Sequence, residues 1–539
     1  AFGITANLYS VRSAANWSVG TLGDLATLAE WSASHGAAFV GINPLHALRN
    51  LGYDISPYGP VSRLYRSAAY LDIDSVPELA ESDAARALLS REDVRAALAQ
   101  LRAGDRVDYE RATTLARPVL HALHRAFMAR AAGDARRAAY DRYVAEQGDA
   151  LTAFATFSAL DESFAPITSW REWPAAYRAP SSAAVAEFRT AHREQVDFHR
   201  WIQFELDRQL RHAAERGRRA GLSIGIYQDL AIGSSSDGSD AWACQHLFLD
   251  GLTIGAPPDA LAPEGQNWGL PPISPHRLHD DRYAYWIALL RASLRHGGAL
   301  RIDHVLGLFR QFWIPAGRPE RDGAYVRFPT NDLLGILALE SARHRAVIVG
   351  EDLGTVPPEV APTLRAWNIH GSRVLLFERD PDGSFSPAAA YEPMSLATAN
   401  THDLPTLAGF WHGRDIALRR AFGLIESDDA LAAAERARDA DKHALIRRLE
   451  ADGALAAHTD SMSDSQLSAA VHRFLCATPA SLVGLSLDDL TGETEPVNLP
   501  GVGLARHASW SRRMRVPLES LDATPAVRTA LSCERSARA

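Results

Sequence analysis

The chain has 539 residues, a formal net charge of -9, 47% hydrophobic and 22% charged residues. This balance reads as a soluble globular protein with no broad basic face, which sets aside nucleic acid and anionic membrane as expected partners. No apolar run reaches the roughly 18 residues of a membrane-spanning helix, and the first residues lack the charged and apolar regions of a secretory signal.

The predicted elements alternate. An apolar run at 3–11 precedes a one-faced helical pattern at 20–36, and a second run follows at 37–43. Residues 74–215 hold only helical or loop patterns with amphipathic spacing. Strand patterns resume at 222–230, 298–305, 346–354, 373–379, 395–403 and 480–489, nearly all separated by helical segments. Eight strands alternating with helices predict an α/β fold, a closed (β/α)8 TIM barrel with large helical insertions. The expected divisions are 1–73 (barrel strands 1 and 2), 74–215 (a mainly helical insertion), 216–524 (the rest of the barrel) and 525–539 (a loosely held tail). Within the third, 255–275 is rich in Gly and Pro and shows almost no helix or strand period. Structureless stretches of that length inside a compact domain are usually functional loops or disordered segments. Cys244, Cys476 and Cys533 are odd in number and widely spaced. They fit neither a disulfide framework nor a zinc site, and they point to a reducing, cytoplasmic compartment. Nothing in the sequence sets an oligomeric state.

Polar residues collect where the strands end: Asp229, then Arg301 and Asp303, Glu351 and Asp352, Asn400, His402 and Asp403, and Asp488 and Asp489. Carboxylates are poor strand residues and costly to bury unpaired, whereas the C-terminal ends of barrel strands are where barrel enzymes keep their active sites. Carboxylates without His/Cys metal spacing have two readings, a divalent metal site or acid/base chemistry at an acetal. The second needs one ionised carboxylate and one protonated carboxyl. Arg301 lies two residues from Asp303 on a strand, so both point to one side and the guanidinium orients the carboxylate. Glu351 follows the apolar run AVIVG, a setting that raises a carboxyl pKa for acid duty. Spacing alone does not choose between Glu351 and Asp352. Tyr58 in the turn SPYGP and Trp268 in the 255–275 segment offer flat rings with polar handles, suited to sugar faces.

The stretches LYSVRSAANWSVGTLGDL, GINPLHAL, SPYGPVSRLYRSAAYLDI, YQDLAIGSSSDGSDAW, GAPPDALAPEGQNWGLPP, ALRIDHVLGLFRQFWIP, VGEDLGTVPPEV, ANTHDLPTLAGFW and VNLPG occur in this order. Together they resemble the 4-α-glucanotransferases of the amylomaltase type, a branch of the α-amylase clan. The resemblance implies a retaining double displacement on α-1,4-glucans and malto-oligosaccharides, with no metal and no organic cofactor. It implies Asp303 as nucleophile, Glu351 as general acid/base and Asp403 as the carboxylate that stabilises the transition state. Arg301, His402 and Tyr58 are then donor-side partners. Asp259, Gln266 and Trp268 belong to an active-site loop, and Asn498 to a late N-x-P-G element. The likeness departs at Val502 and at Ala508-Ser509 before Trp510. An α-glucan hydrolase of the same clan is the alternative, with water as acceptor.

Overall fold

The computed structural model describes residues 1–539 except 132, 259–261, 263, 457–461, 525, 526, 530 and 532–539. Eight strands form one parallel sheet: β1 (Phe2–Ala6), β2 (Phe39–Ile42), β3 (Gly225–Leu230), β4 (Ala299–Ile302), β5 (Val347–Gly350), β6 (Gly371–Val374), β7 (Ser395–Thr398) and β8 (Leu482–Ser486). Their order is β5-β4-β3-β2-β1-β8-β7-β6. The end strands meet at a parallel bridge between Val349 and His370, where His370 N donates to Ile348 O at 3.0 Å and Gly350 N to His370 O at 2.8 Å. The expected (β/α)8 barrel is therefore present, with its seam between β5 and β6.

Strands of such a barrel are covered on both faces and read as continuous apolar runs rather than alternating ones. β2 (FVGI) is buried at every position. Inside the barrel, Phe39, Tyr227, Ala299, Val349, Leu396 and Leu482 pack into one cluster, with Phe39 and Tyr227 edge to face at 5.7 Å. Large rings there need small neighbours. A Cβ on Gly3 would lie 2.4 Å from the Phe39 ring, so the neighbouring strand carries none at that level.

The sixth strand corrects the expected span of 373–379. It pairs only over Gly371–Val374, and the chain then turns, with Phe377 N donating to Val374 O at 2.8 Å. The apolar run outlasts the strand because Leu375 is needed in the core and is fully buried.

Between β2 and β3 lie the helices Asp83–Ser90, Glu92–Ala103, Tyr109–Met128, Ala135–Ser163, Ala183–Ala191 and Arg193–Ala220. Trp173 and Trp201 are fully buried within this region and Trp170 nearly so, which makes all three core anchors. The helix Arg193–Ala220 runs past residue 215, the expected end of the insertion. It lies against the helix Leu22–Ser34, and Gly217 permits the approach: a Cβ there would sit 3.1 Å from Ala29 Cβ. In the expected loose tail, Val527 and Leu531 are buried in the main core, a correction that follows from their apolar side chains.

The largest correction concerns 255–275. A second, antiparallel sheet has the order Ala324–Arg327, Arg310–Pro315, Leu252–Ala256, Gln266–Leu270. A third of the expected loop thus belongs to the strands of a hairpin, Ile254 pairing with Leu270 and Gly255 with Asn267 across a bulge. Gly255 is required there, since a Cβ would fall 2.0 Å from Gln266 O. Edge strands are held by backbone hydrogen bonds and need no apolar alternation, so this one left no side-chain signal. Among the described residues no helix is long and apolar enough to cross a membrane.

Candidate active site

The C-terminal ends of the barrel strands open into a cleft lined by Tyr58, Asp229, Arg301, Glu351, Asn400 and His402 among others. Arg301, the third residue of β4, is the hub. Its Nη1 donates to both carboxylate oxygens of Asp229 on β3, at 2.9 and 3.0 Å. Its Nη2 lies 2.9 Å from Asp303 Oδ1. Burial opposes the guanidinium charge, but Asp229, Tyr58 and Asp303 outweigh it and raise its pKa well above the ordinary value. The i, i+2 spacing of Arg301 and Asp303 thus does what strand geometry allows, and Asp229 completes a fork that fixes the cation from the other side.

Glu351 follows β5 directly. Its Oε2 accepts from His304 N at 2.9 Å and its Oε1 from Leu353 N at 2.7 Å. Burial, reinforced by the nearby Asp303 charge, pushes its carboxyl up to about 7, against the pull of Arg301 and the two backbone donors. The adjacent Asp352 is different in kind. It turns away to accept from Ser372 N at 2.7 Å and to pair with Arg373 at 3.3 Å. The choice left open by spacing is therefore made by the fold: Glu351 lines the cleft and Asp352 holds β6.

The wall opposite is built from Tyr58 and the end of β7. Tyr58 donates its hydroxyl proton to Asp229 Oδ2 at 2.7 Å, and its ring stacks on His402 with centroids 4.4 Å apart. With that proton committed, the Tyr58 oxygen can only accept from His402 Nδ1, 3.2 Å away. His402 Nε2 lies 3.3 Å from Asp403 Oδ2. Both ring nitrogens therefore face acceptors, an arrangement that favours the doubly protonated imidazolium. The electrostatics agree. Burial opposes a charged His402, but Asp403 outweighs it and raises its pKa. In turn His402 and the amide of Asn498, which donates to Asp403 Oδ1 at 2.7 Å, hold Asp403 down at about 2 despite its burial cost.

The expected site residues Asp303, Glu351, Asp403, Tyr58, Arg301, His402 and Asn498 thus form one connected cluster. Trp268 joins it from the second sheet: its ring meets the His304 ring edge-on at 5.2 Å, and its Nε1 donates to Gln266 Oε1 at 3.0 Å. Asp259 lies outside the described residues. Among the described residues, no group of three or more His, Cys, Asp and Glu could hold a metal ion.

With this geometry in view, comparison with known proteins is informative. The family profile described as 4-alpha-glucanotransferase matches residues 6–519. A 4-alpha-glucanotransferase of Mycobacterium tuberculosis is 40% identical over 538 residues, covering 97% of this chain and 72% of that protein. The chain belongs to the 4-alpha-glucanotransferase family. Another 4-alpha-glucanotransferase, from Haemophilus influenzae, is 36% identical over 98% of this chain and 77% of its own length. The crystal structure of amylomaltase from Corynebacterium glutamicum superposes with a TM-score of 0.89 at 32% identity, over 99% of this chain and 75% of that one.

Reasoning from sequence missed one wall of this 4-alpha-glucanotransferase site. Trp510 packs its buried ring against Tyr58 at 5.6 Å and against His402 at 5.3 Å. Behind it, Arg512 pairs with Asp488 at 2.7 Å and Glu493 at 3.4 Å. Asp489, buried, accepts from Asn400 Nδ2 at 3.0 Å and Leu407 N at 2.7 Å, and so pins the turn that carries His402 and Asp403. The signal available was the lone Trp in ASWSRR, a large aromatic in an otherwise polar segment.

Proposed function

We propose that this enzyme moves α-1,4-glucan segments between malto-oligosaccharides by a retaining double displacement. Asp303 attacks the anomeric carbon while Glu351 gives its proton to the departing glycosidic oxygen. The C–O bond to the leaving chain breaks, and a covalent β-glucosyl ester forms on Asp303. Glu351, now ionised, takes the proton from the 4-hydroxyl of an acceptor sugar, whose oxygen displaces Asp303 and restores the α-linkage. Asp403 stabilises the positive charge that develops at the anomeric centre. Arg301, His402 and Tyr58 fix the donor ring, and Gln266 and Trp268 cover the acceptor side.

The observation that carries this reading is the split between two neighbouring carboxyl groups. Asp303 shares an ion pair with Arg301 at 2.9 Å, while Glu351, with backbone donors only, is pushed up to about 7. An Arg-paired carboxylate suits the nucleophile, and a buried carboxyl that holds its proton suits the acid. Retention requires the two carboxyl groups about 5–5.5 Å apart. Incubation with maltotriose tests the reading. Transfer yields longer oligomers and glucose with little net gain in reducing ends, whereas steady growth of reducing ends would mean that water is the acceptor and the enzyme a hydrolase. The three scattered cysteines support a cytoplasmic setting for this chemistry.

A further inference from the structure

The second sheet carries the same short pattern twice. Gln266 and Trp268 lie on the edge strand, and Gln311 and Trp313 on the strand Arg310–Pro315, two positions away in the sheet. In each pair the indole Nε1 donates to the amide oxygen two residues earlier, Trp268 to Gln266 at 3.0 Å and Trp313 to Gln311 at 3.2 Å. Directly paired residues share a face, and Trp313 is paired with Ile254, which is paired with Leu270. Gln266 is paired with Ala256, two residues on from Ile254, so both Gln–Trp pairs stand on one face.

That face continues to the catalytic residues. Gln311 lines a cavity together with Asp303 and His304. Gly307 packs between the two: a Cβ there would be in ordinary contact with Gln311 Nε2 at 3.4 Å and His304 Cδ2 at 3.8 Å. Each indole bond also fixes its amide. An indole can only donate, so the oxygen must face it and the NH2 points away from the ring with two protons to give. Both tryptophans are half-buried, and Trp313 is braced edge-on by Phe328 at 6.3 Å. A braced, partly exposed indole beside an amide donor matches a sugar ring, with its apolar face and hydroxyl rim.

We propose that Gln311 and Trp313 form a second carbohydrate station on the acceptor side, beyond Gln266 and Trp268, which contacts long acceptor chains and not a single glucose. This rests on the transferase reading above. The station lies on the side of Glu351, whose Oε2 is held by His304 N, and the acid marks where the leaving chain exits and the acceptor enters.

The test measures acceptor kinetics in wild type, Trp313→Ala, Trp313→Phe and Gln311→Ala, with maltotriose as donor and glucose or maltohexaose as acceptor, alongside thermal melting. In Trp313→Ala the apparent KM for maltohexaose should rise about three- to tenfold more than that for glucose. Trp313→Phe keeps a flat ring and should recover most of the loss. Gln311→Ala should shift the same ratio in the same direction. Equal changes for both acceptors, a fall in kcat for both, or no change at all would overturn the station and leave Trp313 as packing for Phe328. Wild-type transfer in the same assay separates the two levels. A wild type that makes no longer oligomers overturns the transferase reading and the station with it, whereas one that transfers normally while the variants keep the wild-type KM ratio overturns the station alone.

Discussion

The two walls of the cleft are built on opposite principles. On the wall formed by Tyr58 and the end of β7 the polar groups engage one another: Asp229 by Arg301 and Tyr58, His402 by Tyr58 and Asp403, Asp403 by His402 and Asn498. On the wall formed by the second sheet the contacts are sparser, an edge-on Trp268–His304 meeting and two indole–amide pairs on a half-exposed sheet. The first is a network whose members fix one another, as transition-state stabilisation requires. The second offers flat surfaces and free donors that can take chains of different length. A transferase needs both, because one donor geometry must be met by many acceptors.

Substitutions on each wall should break this contrast to different degrees. Asp303→Asn removes the nucleophile and should lower kcat by on the order of 10^4 or more, whatever the acceptor; near-normal turnover by product chromatography would refute the assignment. Glu351→Gln should lower kcat by about 10^2 to 10^4. Because the acid must be protonated and its carboxyl titrates near 7, the wild-type rate should fall as pH rises through that value. In Glu351→Gln that fall should vanish, and a substrate with a better leaving group should regain more activity in the variant than in wild type. Pre-steady-state rates across pH check both points. Trp268→Ala should have the smallest effect on total turnover, about tenfold or less, but should raise the ratio of hydrolysis to transfer by opening the glucosyl-enzyme to water. An unchanged ratio of reducing ends to longer oligomers would show that the sheet does not shield the intermediate.

The two walls also differ in how far the sequence alone revealed them. All eight barrel strands are legible because buried parallel strands must be continuous apolar runs, and the strand-end carboxylates stand out against them. The Arg301–Asp303 pairing follows from two-residue spacing on one strand. The choice of Glu351 over Asp352 does not, because it depends on Arg373 and Ser372 lying beside Asp352 in the folded barrel. The strand Gln266–Leu270 is hard to see for a related reason: Trp268 and Leu270 stand among Gln266, Asn267 and Gly269 without regular alternation, and backbone pairing to Leu252–Ala256 makes it a strand. Trp510 reaches Tyr58 and His402 from far along the chain, a contact set by closure of the whole barrel and by no local pattern. Arg301 and Asp303 were thus legible from strand spacing, whereas the pairing of Gln266–Leu270 and the placing of Trp510 required the tertiary structure.

The hold on Glu351 has an evolutionary side. Its two donors are the peptide N–H groups of His304 and Leu353, not side chains. A peptide donor survives almost any codon change; only proline deletes it. At 304 the backbone is left-handed, with φ 49°, which disfavours β-branched replacements but tolerates glycine and asparagine. A replacement of the ring at 304 would change the contact with Trp268 and leave the backbone bond to Glu351 in place. A lineage can retune which acceptors it favours without ever exposing its proton donor to selection.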